Sequence, residues 1–501
     1  MTKIALLILD GFGLRKSNDY NAVNNANMPY FKSLMKTYSH TKLKTKGNFV
    51  GLTKGQFGNS EVGHLNLGSG RVVKQDSMKI AESIDSGDFY KNKMLTNLIT
   101  QLKKNNSYLH LMGLCSSGGV HSNIKHLYAI LTLCKKLDFY NVLIHFISDG
   151  RDTNVESGLG FYRELERQIK KIGVGKIVSI SGRFYAMDRE KNYDRTREYF
   201  NVLNNYEAEN KFDNLKDAFN YFYSQNITDE YLKPSILKKG NYKVNKQDAI
   251  LCFNFRSDRA RQIFEVLIEN KFKNLYSFIE YDKKFEKFVN VVFKEESNKN
   301  CLGEVLSNNN KTQLRISETT KYAHVTYFFN LLIEQPFKNE KRIIIDSDVV
   351  DNFAKKPKMK AKEITDTVIS ETDKTLYDFI LVNFPNADMV GHTGNYEATI
   401  KSLEFLDKCL NKIVENLKQK GYIVLITADH GNADIMRNKD GSPCTTHTTS
   451  DAPFIIVDNK KYKLNNGGKL ANVSPTILDL FKIKCPKEFT EKSLINDIDK
   501  L

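Results

Sequence analysis

Tryptophan is absent from this 501-residue chain, and proline occurs only 9 times. That scarcity excludes a collagen or a proline-rich linker protein, and 41% hydrophobic residues exclude a disordered chain. Aromatic packing must come from 31 Phe and 24 Tyr. The 7 Cys are too sparse for a disulfide scaffold, their number is odd, and no Cys-x-x-Cys occurs; they read as reduced thiols of a cytoplasmic protein. No apolar run approaches the ~20 residues of a membrane helix. The opening IALLIL run stops at Asp10, short of the about 7–15 apolar residues of a secretory signal, so none is expected. Also missing are a Walker A loop, a Gly-x-Ser-x-Gly elbow, His-Glu-x-x-His, zinc-finger spacing and a Rossmann glycine pattern.

What is present is length and positive charge. The length gives a soft expectation of two to three domains with large cores. Lys and Arg number 75 against 59 Asp and Glu, a net charge of +16. Such an excess suits nucleic acid, an anionic surface or an anionic small substrate, or is simply solvated Lys as in KKPKMKAK (Lys355 to Lys362).

Strand-like apolar runs alternate with amphipathic stretches, which predicts an α/β fold. One set comprises Ile4–Asp10, Arg342–Asp348, Phe379–Phe384, Tyr422–Asp429 and Ala452–Asp458, and reads as buried parallel strands. A second set lies between, at Tyr108–Leu114, Val142–Asp149, Lys176–Ser181 and Ala249–Phe255. Two sets suggest two domains, the middle one inserted into the outer one. With SNNNK (Ser307 to Lys311) read as a linker, the outer domain spans 1–75 and 311–501, and the insert 76–310.

Ligands of open parallel sheets sit beyond the carboxyl ends of the strands. In the outer set these ends carry Asp10, Asp388 with His392, Asp429 with His430, and His447. Each alone is a weak signal, since an Asp-Gly is usually a turn and a lone His usually core. Together they suit a cation such as Mn²⁺, Zn²⁺ or Fe²⁺. In the inner set the ends carry His121, Arg151, Asp152, Arg183, Arg189, Arg256 and Arg259. A single surface Arg is explained by a neighbour such as Asp188 or Asp258, but five at one sheet edge suit a small dianion or trianion. Ser60, within GQFGNSEVGHLNLGSGR, reads either as a helix cap or as a nucleophile activated by a metal.

The segments LLILDGFG, GQFGNSEVGHLNLGSGR, GGVHS, DGRD, GRFYAMDR, FNFRSDRA, KYAHVTYFF, DMVGH, TADHGN and HTT run in order from residue 4 to residue 449. In this the chain resembles the cofactor-independent phosphoglycerate mutases of the alkaline phosphatase superfamily. The resemblance implies an alkaline-phosphatase-like α/β sandwich with a second α/β domain inserted. It implies one metal on Asp10, Ser60, Asp429 and His430, and another on Asp388, His392 and His447. It implies a phosphoglycerate substrate held by His121, Arg151, Asp152, Arg183, Arg189, Arg256, Arg259 and Lys321. Mn²⁺ as the metal, a monomer, and no bisphosphoglycerate, nucleic-acid or membrane partner are further expectations. A sister phosphatase or phosphopentomutase would use the same metal ligands, and a nucleic-acid-binding module is the alternative of another class. Departures from the family pattern are Ser117 for Asp, Thr320 for Glu, Leu331-Leu332 for Gly-Gly and Ala387 for Pro. The Thr320 change bears on the placement of Lys321.

Overall fold

A computed structural model describes residues 2–294 and 299–496. The chain forms two compact α/β units, Met1–Gln75 with Ser297–Leu501, and Asp76–Glu296. Each has its own eight-stranded sheet. Ser307–Lys311 is not the linker expected from its polarity. It closes helix Leu302–Asn308, whose Leu302, Val305 and Leu306 are buried in the core of the first unit, so the second crossing falls near residue 296.

In the first unit, strand Lys3–Leu9 lies in the middle, parallel to Phe379–Phe384 on one side and Tyr422–Thr427 on the other. Gln313–Glu318 and Glu340–Ile345 extend the parallel part. Every residue from Ile4 to Leu9 is fully buried. That follows from a sheet covered on both faces, which demands a continuous apolar strand and not an alternating one. Helix Tyr396–Gln419 supplies one cover, with Leu403, Leu406, Leu410, Ile413, Val414 and Leu417 recurring at helical spacing on its buried side. Ala452–Val457 departs from the expectation of a parallel strand. It pairs antiparallel with Tyr422–Thr427 and with Ser39–Lys44. An apolar run fixes burial and not direction.

The second unit is parallel except where Lys176–Gly182 meets Ser235–Leu237. Leu109–Leu114, Val142–Ser148 and Lys176–Gly182 are successive neighbours. Helix Ile124–Lys136 packs Leu127, Ile130, Leu131 and Cys134 into the core. Among the described residues no helix is long and apolar enough to cross a membrane.

At the Leu331-Leu332 departure both residues have positive φ, +53° and +65°. Glycine adopts that region freely, whereas a β-carbon makes it costly. The two follow a π-helical turn, His324–Phe328, that begins three residues after Lys321.

Candidate metal centre and anion cradle

Asp10 leaves the end of the central strand of the first unit, its N–H donating to Phe384 O at 3.0 Å. Gly11 follows at φ +77°; a β-carbon there would lie 2.7 Å from Asp388 Cα. Only glycine lets these two strand ends approach so closely. Helix Ser60–Ser69 starts beside them. Its N-cap is Asn59, whose Oδ1 accepts from Val62 N at 2.9 Å. The cap reading of Ser60 is thereby set aside, and its hydroxyl is free to face the acidic cluster. Gly63 allows the helix to lie on the next loop, since a β-carbon would sit 2.7 Å from Asp429 Cβ.

Ser60 Oγ lies 3.1 Å from Asp10 Oδ1, 2.9 Å from His430 Nε2 and 2.5 Å from Lys321 Nζ. Lys321 also donates to Asp10 Oδ1 at 2.9 Å and Asp388 Oδ2 at 2.6 Å. Thr320 leaves this placement intact; its N–H donates to Ser347 Oγ at 3.4 Å. His392 Nε2 and His447 Nε2 are 3.0 Å apart, and both face Asp388 Oδ1, at 3.2 and 3.3 Å. Asp429 Oδ1 accepts from Gly11 N and His430 N, while among the described residues its buried Oδ2 has only the longer approach of His64 Nδ1, at 3.3 Å.

Burial alone would raise the Asp10 and Asp388 carboxyls, yet the adjacent Lys321 ammonium holds both well below the carboxylate range. Burial would depress the His430 imidazolium, but Asp429, Asp10 and Asp388 outweigh it and push it up to about 9. Three buried carboxylates thus crowd around one ammonium and one imidazolium. The cluster keeps a net negative charge, which grows when the imidazole gives up its proton to act as a ligand, and such buried charge favours bound cations. The donor atoms fit: two imidazole nitrogens and a carboxylate oxygen within 3.3 Å of one another on one side, and on the other two carboxylates, an imidazole and the Ser60 hydroxyl.

Two residues here went unnoticed in the sequence. Asn383 Nδ2 donates to Asp10 Oδ2 at 2.8 Å and to His64 Nε2 at 3.0 Å. His64 Nε2 is therefore the acceptor, and its Nδ1–H points at Ser60 O (2.8 Å) and Asp429 Oδ2 (3.3 Å). The available signal was the spacing of Ser60 and His64, four apart on one helix face.

The basic residues gather at the strand ends of the second unit. Arg183 is fully buried, and its Nη1 bridges Asp149 Oδ1 at 2.7 Å and Asp152 Oδ2 at 2.6 Å. Asp258 receives Arg189 at 2.7 Å and Arg256 at 3.2 Å, with His121 Nδ1 at 3.6 Å. The other expected surface partner, Asp188, takes Arg195. Arg151 reaches Glu230 at 3.4 Å. Arg259 donates to Met187 O at 3.2 Å and has no ion pair among the described residues. Burial, then the guanidiniums of Arg183, Arg189 and Arg151, lowers the proton affinity of Arg259, a sign of cations crowding one place. Burial, seconded by Arg183, depresses His121 to about 4, so the imidazole is neutral near pH 7.

A buried carboxylate–imidazole cluster at the edge of a parallel sheet, with a serine among the donors, defines a metalloenzyme site. Residues 2–485 match the Metalloenzyme superfamily. The chain is 44% identical to the 2,3-bisphosphoglycerate-independent phosphoglycerate mutase of Clostridium kluyveri, over 98% of this chain and 99% of that one. It is 42% identical to that of Staphylococcus saprophyticus, over 98% and 99%. A crystal structure of Leishmania mexicana phosphoglycerate mutase at low cobalt concentration superposes with a TM-score of 0.60 at 30% identity, covering 99% of this chain and 98% of that one. The chain belongs to the 2,3-bisphosphoglycerate-independent phosphoglycerate mutases, which are isomerases.

Proposed function

We propose that the protein interconverts 3-phosphoglycerate and 2-phosphoglycerate without bisphosphoglycerate, through a phosphoserine at Ser60. The observation that carries this reading is the setting of Ser60 Oγ, within 3.1 Å of Asp10, His430 and Lys321 in one buried cluster. Family membership supports the overall reaction.

Asp10, Ser60, Asp429 and His430 would hold one divalent ion, and Asp388, His392 and His447 a second, with Mn²⁺ the ion proposed. When bound, the ions supply Lewis acidity and lower the proton affinity of the serine hydroxyl. Ser60 Oγ attacks the substrate phosphorus, and the phosphoryl–oxygen bond to glycerate breaks. Lys321 neutralises charge on the phosphoryl oxygens, where positioning and electrostatics carry most of the rate. Glycerate then turns, and its other hydroxyl oxygen attacks the phosphoserine, returning Ser60. Arg151, Arg183, Arg189, Arg256 and Arg259 hold the carboxylate and phosphate through both transfers. Asp152 moves the proton on and off the glycerate hydroxyls, with His121 as the rival. Exclusion of water separates this outcome from a phosphatase.

The test is conversion of 3-phosphoglycerate coupled to enolase, without bisphosphoglycerate, after EDTA stripping and return of Mn²⁺. Activity lost with EDTA and regained with Mn²⁺ is expected, and Ser60→Ala should show none. Release of free phosphate without 2-phosphoglycerate would instead make the protein a phosphatase. Near-native mutase activity in Ser60→Ala would overturn the phosphoserine route. The reading includes a cytoplasmic monomer, and sedimentation of the purified chain checks the monomer.

A further inference from the structure

Asp149 lies at the end of strand Val142–Ser148, is 2% exposed, and belongs to neither proposed ligand set. Its two oxygens gather donors from three strand ends, the third being Arg183 at the start of the short helix Arg183–Ala186. Oδ1 accepts from Arg151 N at 3.2 Å, Asp152 N at 3.0 Å and Arg183 Nη1 at 2.7 Å. Oδ2 accepts from Ser116 Oγ at 2.6 Å. The Ser116 hydroxyl in turn accepts from Gly118 N at 3.3 Å, in the loop that leads to His121. Gly118 is packed so close that a β-carbon would lie 2.9 Å from Asp152 Cβ and 3.2 Å from Asp149 Oδ2.

These segments follow three adjacent parallel strands. Each carries residues assigned above to the substrate: His121 on the first, Arg151 and Asp152 on the second, Arg183 on the third. Arg183 is buried, with Nη1 shared by Asp149 and Asp152 and with Nε lacking a partner among the described residues. A buried guanidinium needs a counter-ion. If Asp152 were its sole counter-ion, every protonation of Asp152 would leave Arg183 unbalanced. Asp149 supplies a second carboxylate, held in place by Arg151 N, Asp152 N and Ser116 Oγ.

We propose that Asp149 is a positioning residue for the mutase reaction, a carboxylate hub that locks the three strand-end segments in register and holds Arg183 in place while Asp152 is engaged with substrate. This rests on the reading that these strand ends grip phosphoglycerate.

The experiment compares the metal-loaded full-length protein with its Asp149→Asn, Ser116→Ala and Arg183→Lys variants and the Asp149→Asn/Arg183→Lys double variant. The readouts are the KM for 3-phosphoglycerate, kcat, and the melting temperature. Charge-assisted bonds at one buried carboxylate predict a loss of about 10- to 100-fold in kcat/KM for Asp149→Asn, carried mainly by KM. The double variant should lose far less than the product of the two single losses, because both changes break one contact. Ser116→Ala removes one donor and should raise KM by roughly 3- to 10-fold; it decides the matter if Asp149→Asn does not fold. A lowered melting temperature with unchanged KM in both Asp149→Asn and Ser116→Ala would make Asp149 merely structural and overturn the proposal. Multiplicative losses in the double variant would overturn it as well. If Arg183→Lys too leaves KM unchanged, the substrate is not held at these strand ends, and the reading beneath the proposal fails instead.

Discussion

Lys321 Nζ stands 2.5 Å from Ser60 Oγ and 2.6 Å from Asp388 Oδ2, so one ammonium joins the proposed nucleophile to the proposed second metal set. Removing it should leave Asp10, Asp388 and Asp429 with the His430 imidazolium alone to offset them. Lys321→Met is expected to lower the stability of metal-free protein by about 3–5 kcal/mol, the usual result of breaking a buried pair. Added Mn²⁺ should restore more of that loss in the variant than it adds to the parent. Thermal unfolding of both proteins, with and without Mn²⁺, checks this, and equal Mn²⁺ shifts would contradict it.

Asn383 holds Asp10 Oδ2 from behind, and His64 accepts its other N–H. Partners that orient a metal-binding carboxylate typically matter about 10- to 100-fold in metal affinity. Asn383→Leu should therefore weaken Mn²⁺ binding by roughly that factor. Titration followed by the electron paramagnetic resonance of free Mn²⁺ measures it directly, independent of turnover.

Leu331 and Leu332 share a left-handed backbone but not an environment, for Leu331 is 2% exposed and Leu332 38%. Opposite outcomes should follow. Leu332→Gly relieves about 1–2 kcal/mol of backbone strain against roughly 0.5–1 kcal/mol of chain entropy, a net gain. Leu331→Gly also forfeits a buried side chain, about 1.5–3 kcal/mol, and should destabilise. Urea midpoints of the two variants against the parent give the signs.

His126 is 4% exposed, packs against Phe255 and Phe278, and is depressed to about 4 by burial alone. The unfolded chain therefore binds a proton here that the folded chain refuses. Stability contributed by neutral His126 is complete above pH ~6.5 and is lost progressively as pH falls toward about 4. The full swing is on the order of 3 kcal/mol. His126→Phe should flatten the decline of melting temperature across that window. An unchanged pH slope would show that other groups govern acid unfolding.

Legibility differed with the physical origin of each feature. Phe379–Phe384 and Val142–Ser148 stood out because strands covered on both faces are mostly apolar. Ser39–Lys44 did not, since a near-edge strand reading SHTKLK buries only Thr41 and Leu43. Gln313–Glu318 was hidden by Gln313, Arg315 and Glu318, all buried. Arg315 is fully buried over the rings of Phe329 and Phe379, a packing that no local pattern announces. Strand ends drew attention to Asp10, Asp388 and Asp429 because topology alone brings such ends together. The supporting groups, Asn383, His64 and Asp149, were harder to read for the converse reason. Local spacing hints at some of their contacts, but Asp10 for Asn383, Asn383 for His64 and Arg183 for Asp149 are distant in sequence, and only the folded chain names them.

The central place of Lys3–Leu9 has a consequence for biosynthesis. This strand is synthesised well before its two neighbours, Phe379–Phe384 and Tyr422–Thr427, which come some 370 to 420 residues later. At about 5–20 residues per second, one of the most apolar segments of the chain waits roughly 20 to 75 seconds before either side is covered. The unit formed by Asp76–Glu296 is contiguous and is complete in sequence long before then. The nascent chain can thus complete that unit while the β-strand ahead of it is still without partners. Its yield in a cell depends on what shields IALLIL during that interval.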